Sequence, residues 1–166
     1  MTRYPILIAT ACVVLSSCAA ATVQPDPSGR VHGSIIHVTD GDTISVSLAG
    51  RRETIRLIGV DTPETKHPTK PVGCWGPEAS AHTTAMLPKG TDIYVMRDEE
   101  ARDKYGRLLA YVYRSSDNVF INHELLAGGW GVPLSIAPNT AFETDFAAAS
   151  SAADQAHLGL WGHCPR

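Results

Sequence analysis

The sequence is short of positive charge: 14 Lys and Arg stand against 17 Asp and Glu, a formal net charge of −3 at pH 7. Proteins that grip nucleic acid by bulk electrostatics gain their affinity by neutralising phosphates, and an acidic balance argues against that mode. A site built from a bound cation and a few placed arginines is still open. Cysteine is scarce too, with 4 residues and no zinc-finger spacing; His157 and His163 near Cys164 have no second cluster to complete a zinc site. No internal repeat is present. The one long apolar run, Tyr4 to Leu15, is too short to remain in a bilayer as a permanent helix.

That run follows Arg3 and precedes small residues, the layout of a targeting segment. Leu15-Ser16-Ser17-Cys18 resembles the lipobox of bacterial lipoproteins, in which the cysteine becomes the lipidated first residue. The alternative is an ordinary secretory signal cut after Ala19-Ala20-Ala21. On either reading the protein is exported, as a membrane-anchored lipoprotein or a secreted one. The expected organisation is a signal peptide over 1–18, a flexible tether over 19–30 and one domain over 31–166. Removing residues 1–18 takes away Cys12 and commits Cys18, so Cys74 and Cys164 remain. An even pair in an oxidising compartment is most simply a disulfide.

From Val31 the pattern turns to β. Ile35, Ile36 and Val38 lead to Asp40-Gly41-Asp42, and Ile44, Val46 and Leu48 then alternate with polar residues. A turn at Ala49-Gly50-Arg51 precedes a third strand, Glu53 to Val60. Gly76-Pro77-Glu78 opens a helix that runs to about Leu87. Strands over Ile93–Met96 and Arg107–Tyr113 follow, then a short helix after Asn122. A last helix starts at Thr140 with Glu143 three positions on, a capping box, and runs to about His157. Five strands in about 80 residues suit a small, partly open barrel of the OB type, α+β but mainly β, with three helices. In that architecture the 1–2 loop at Asp40–Asp42 and the 4–5 loop at Asp98–Arg107 flank the face carrying Arg56.

The stretch IRLIGVDTPETKHP, residues 55–68, organises the chemistry. A guanidinium on an otherwise apolar strand needs an anion, and Asp61 and Glu64 flank a proline that pins the chain as it leaves the strand. A structural ion pair between Arg56 and Asp61 or Glu64 is one reading. Phosphate chemistry assisted by a hard cation is the other. Asp40-Gly41 is a strong hairpin signal in its own right. It does not account for Asp42, and three carboxylates at Asp40, Asp42 and Asp61 would repel unless a hard cation, Ca²⁺ or Mg²⁺, sat among them. The later ligand positions of an EF-hand are missing.

TDGDTISV (39–46), IRLIGVDTPETKHP (55–68), GPEASA (76–81) and DKYGRLLAY (103–111) together resemble the staphylococcal nuclease family, in order and spacing over about residues 31–163. The resemblance implies an OB-fold, a Ca²⁺-dependent endonuclease acting on DNA or RNA, and P–O5′ cleavage that leaves 3′-phosphate ends. It implies calcium carboxylates at Asp42 and Asp61, the carbonyl of Thr62 as a further ligand and Asp40 close by. Glu64 matches the general base, with a water-mediated contact to the metal, and Arg56 and Arg107 match the phosphate-binding arginines. Lys104 and Tyr105 match residues that hold the terminal phosphate and nucleotide. A monomer is expected. Leu134 and Ile136 stand where the family's best-known member has tyrosines that pack on the base, and Cys74 and Cys164 are additions to its pattern.

Overall fold

The computed structural model describes residues 26, 28–65 and 71–165. The targeting segment, Cys18 and most of the tether lie outside the described residues. In chain order the elements are β1 (Val31–Asp40), β2 (Thr43–Leu48), β3 (Arg51–Leu57), β4 (Gly59–Asp61) and α1 (Gly76–Met86). Then come β5 (Asp92–Met96), β6 (Leu108–Arg114), α2 (Ile121–Ala127), β7 (Val132–Leu134), α3 (Glu143–Gln155) and a single turn, α4 (Leu160–His163). No helix among the described residues is long and apolar enough to cross a membrane.

Five strands close a barrel in the order β1-β2-β3-β6-β5, rather than the partly open one expected. Closure depends on β1, ten residues long, which pairs with β2 on one side and β5 on the other. Irregularities between Ile35 and His37 and between Val38 and Asp40 give β1 the coil it needs. The last seam is parallel, Ile55 opposite Leu108 through Leu57 opposite Ala110. Ile44, Val46, Ile55, Ile93 and Val112 are wholly buried inside. Each such aliphatic side chain contributes about 1.5–3 kcal/mol relative to remaining exposed.

The β1–β2 connection is a tight hairpin whose central residues, Gly41 and Asp42, both keep negative φ, so the turn is not the left-handed kind that Asp-Gly favours. That kind occurs one hairpin later, where Ala49 and Gly50 have φ of 53° and 73° between Leu48 and Arg51. The third strand does not run on to Val60. It stops at Leu57, and Gly59 at φ 79° turns the chain into β4, which pairs with β7, a strand the periodicity does not reveal. A Cβ on Gly59 would collide with the ring of Phe146, so both the backbone angle and the packing of α3 require glycine there.

Asn122 holds this break in place. It is fully buried at the start of α2, donates to the Ile58 carbonyl at 2.8 Å and accepts from Val112 N–H at 2.9 Å. Asn122→Ala leaves both backbone groups without that partner, at about 1–3 kcal/mol for each. Chemical denaturation should show a loss of that size with an unchanged m-value.

At α3 the capping box does not form. Phe142 is the N-cap residue with no side-chain cap, and Glu143 N–H bonds the backbone carbonyl of Thr140 instead. Phe142 is drawn inward to pack on Tyr111 and Phe146, so tertiary packing sets the helix start. The Cys74–Cys164 disulfide is formed, with 5.9 Å between the Cα atoms and 90 positions between the residues.

Candidate active site

Arg56 leaves β3 just before the strand break, and the break supplies its acceptors. Nη1 donates to the Leu57 carbonyl at 2.9 Å and to the Val60 carbonyl, which the turn at Gly59 brings round. Nη2 reaches two carboxylates, Asp61 at 2.8 Å and Asp42 at 3.2 Å. The ion pair the sequence allowed is therefore present, and it is shared. The Arg56 and Asp42 side chains are only 14% and 10% exposed, so solvent screens this contact poorly.

Asp42 is fixed from several sides. Its Oδ2 accepts from Thr62 N–H at 2.9 Å and Thr62 Oγ1 at 3.1 Å, and its Oδ1 accepts from Thr43 Oγ1 at 2.9 Å. Partial burial pushes the Asp61 carboxyl up; Arg56 opposes that, and the Asp42 carboxylate adds to it, leaving the group above its ordinary range.

Asp40 is held by other partners. Its Oδ1 accepts from Thr65 Oγ1 at 2.8 Å and Gly41 N–H at 2.9 Å, so it ties the first hairpin to the loop beyond Glu64. Among the described residues no three His, Cys, Asp or Glu side chains form a ready-made metal cluster. Asp42 and Asp61 are the two carboxylates that share Arg56. That pair still suits a hard cation. Both are oxygen donors close enough to share one nitrogen of Arg56, and a calcium ion fills its remaining positions with carbonyls and waters.

Glu64 lies three residues past Asp61 and is exposed, with its backbone carbonyl taken by Gly73 N–H at 2.8 Å. Arg107 comes from the other side of the groove. Its Nε pairs with Asp103 Oδ2 at 2.7 Å, so the two terminal nitrogens are the ones that would meet an oxyanion. Asp103 also accepts from the amides of Tyr105 and Arg107, which fixes the turn carrying Lys104 and Tyr105. Tyr105 is 72% exposed. A groove of about 370 Å³ is lined by Arg56, Lys104, Tyr105, Arg107, Leu134 and Ile136. Two arginines and a lysine at an apolar-walled groove make a site for a phosphate joined to a flat organic group.

Partial burial pushes the Asp103 carboxyl up, but Arg107 and the turn amides outweigh that and hold it below the ordinary value of 3.8. The contribution of this contact to stability is fully present above that value and is lost as pH falls below it through the folded pKa. Asp103→Asn should therefore flatten the acid-side decline in Tm, leaving its neutral-pH slope unchanged.

Sequence reasoning missed three supports. Thr83, wholly buried in α1, donates to the Gly41 carbonyl at 2.7 Å and so places the hairpin. Thr65 binds Asp40. Asn139 bonds both backbone groups of Glu100, at 2.8 and 2.9 Å, and joins the Leu134–Ile136 wall to the Arg107 loop. None carries a local signal, since each partner is distant in sequence.

A family model described as staphylococcal nuclease homologue matches residues 54–163. The chain is 31% identical over 164 residues to a thermonuclease of Staphylococcus hyicus, covering 95% of each. It is 35% identical over 141 residues to an endonuclease of Bacillus subtilis, with 81% of this chain and 66% of the relative covered. An uncharacterized protein of Bacillus anthracis is 35% identical over 133 residues, and there 79% of this chain aligns with 61% of the relative's length.

Proposed function

We propose, from the premise that the chain belongs to the family of staphylococcal nuclease homologues, that it is a calcium-dependent endonuclease hydrolysing DNA or RNA. The observation that carries the reading is the convergence of Arg56 on Asp42 and Asp61 at one end of the groove that Arg107, Lys104 and Tyr105 also line. Arg56 and Arg107 offer donors to phosphoryl oxygens from different elements of the fold. Asp42, Asp61 and the carbonyl of Thr62 are the residues that would hold calcium. When bound, calcium supplies positive charge against the phosphoryl oxygens and the acid pair.

Glu64 takes a proton from the attacking water as its oxygen bonds to phosphorus. The P–O5′ bond breaks, the departing oxygen takes a proton from solvent to become a 5′-hydroxyl, and the 3′ side keeps the phosphate. Arg56 and Arg107 stabilise the added charge of the five-coordinate arrangement, where donors fixed beforehand have the greatest effect. Lys104 and Tyr105 hold the nucleotide at the rim. The disulfide, together with the apolar run before Cys18, supports an exported protein, lipid-anchored through Cys18 or secreted.

Digestion of single-stranded DNA, duplex DNA and RNA with Ca²⁺, with Mg²⁺ and with EGTA tests the assignment. Calcium-dependent cutting with 3′-phosphate products supports it. Calcium-dependent retention of DNA without cutting would replace it with a binding module. Leu134 and Ile136 are 39% and 61% exposed and offer no aromatic face to a base. Leu134→Tyr should tighten binding of a nucleotide 3′,5′-bisphosphate about tenfold, the low end of the roughly 1–3 kcal/mol per stacked base. Isothermal titration checks this.

A further inference from the structure

The loop bearing Glu64 is backed by a segment that has no part in the site itself. Gly73 N–H donates to the Glu64 carbonyl at 2.8 Å, and Gly76 N–H donates to the Gly73 carbonyl at 3.0 Å. A Cβ on Gly73 would lie 2.8 Å from Pro63 Cβ, and one on Gly76 would lie 2.8 Å from the Pro63 carbonyl oxygen. Backbone therefore lies directly on backbone here. No side chain fits between.

The same segment is gripped from its far side. Cys74 is bonded to Cys164. Trp75 lies between two rings, with His163 stacked at 4.2 Å and Trp130 at 5.8 Å, and Trp130 stacks in turn on His82 of α1 at 4.2 Å. Trp75 also holds a left-handed backbone, φ 68°, which a bulky L-residue keeps only where its surroundings impose it. Cys74 and Cys164 line one crevice together with Asp61, Thr62 and Pro63.

We propose that the Cys74–Cys164 disulfide and Trp75 are positioning residues for Glu64, acting through the Gly73–Glu64 hydrogen bond, so that catalysis depends on the oxidised state of the chain. The proposal rests on the reading of Glu64 as general base. Misplacement of a catalytic group by about 1 Å can cost on the order of a hundredfold in rate, and the backbone that carries Glu64 is set by its bond to Gly73. In this chain the constraint comes from α4, an element remote in sequence from the site. Dithiothreitol opens the bond by thiolate exchange, leaving two protein thiols and its own cyclic disulfide. Only the clamp changes; no residue that would touch substrate is altered.

The test measures kcat and KM on single-stranded DNA with calcium, for the full exported chain, oxidised and reduced. It is run in the native and Glu64→Ser backgrounds, below the melting temperature of the reduced form. Reduction is expected to lower kcat roughly ten- to a hundredfold with KM little changed, and to lower nothing further in Glu64→Ser. Cys164→Ser should behave like the reduced protein, and Trp75→Phe should keep more of the rate than Trp75→Ala. An unchanged kcat, or an equal fall in Glu64→Ser, overturns the proposal. Amide exchange gives a readout independent of activity: Gly73 should lose protection on reduction while Val46 and Ile55 keep theirs. If the native chain cuts no substrate, the nuclease reading fails, and unchanged Gly73 exchange would then separately reject the clamp.

Discussion

Arg56→Ala is expected to lower kcat/KM by three orders of magnitude or more and to destabilise the protein as well. The rate loss follows from removing a fixed donor aimed at developing phosphoryl charge, typically worth about 10²–10³. Disturbing the neighbouring carboxylates adds to it. The stability loss arises because Asp42, only 10% exposed, would lose its cationic partner. Breaking a buried pair from one side costs about 3–5 kcal/mol, and the half-exposed Asp61 places this case toward the lower figure. Arg56→Lys should recover part of the stability and little of the rate, since one ammonium cannot serve two carbonyls and two carboxylates together. Calcium should raise the Tm of Arg56→Ala by more than that of the native chain, because the acid pair then has no other cation. If calcium moves neither Tm, Asp42 and Asp61 do not form a cation site.

Glu64→Ser is expected to lower kcat by roughly 10²–10⁴, the span of a positioned general base. It should leave stability nearly untouched, since the side chain is exposed at its position beyond Thr62. The contrast with Arg56→Ala is the informative part. One residue should affect rate and fold together, the other rate alone. Glu64→Gln separates charge from size: if it keeps the native rate, proton removal by this residue is not part of the reaction. Raising the pH should partly restore Glu64→Ser, because hydroxide then takes over from activated water. A pH–rate profile of both proteins checks this directly.

Much of the barrel was legible because its strands alternate cleanly. Ile44, Val46 and Leu48 announce β2, and Pro77 and Glu78 announce α1. The site residues were legible as a set through the resemblance, and Arg56, Asp42 and Asp61 do meet. The strand break at Gly59 was not legible. An apolar run reads as a continuous strand, and only the packing of Phe146 and the carbonyls required by Arg56 show why it must turn. β7 was hidden for a related reason: Val132-Pro133-Leu134 has a proline and pairs only with the three residues of β4. The capping box at Thr140 failed because Phe142 had more to gain by packing on Tyr111 than Thr140 had by capping. Nothing local in the sequence marks Thr65 as the partner of Asp40.

All 3 tryptophans of the chain lie in one corner of the molecule. Trp75 and Trp130 stack in the ring column, and Trp161 sits on the backbone of Gly129 beside it. Tryptophan emission therefore reports chiefly on that corner. Disulfides quench excited indole by accepting its electron, and Trp75 has the Cys74–Cys164 bond next to it. Emission should be dim in the native chain and brighten as the corner opens, before circular dichroism registers any loss of strand. The fold carries its own optical gauge of the corner that the disulfide closes.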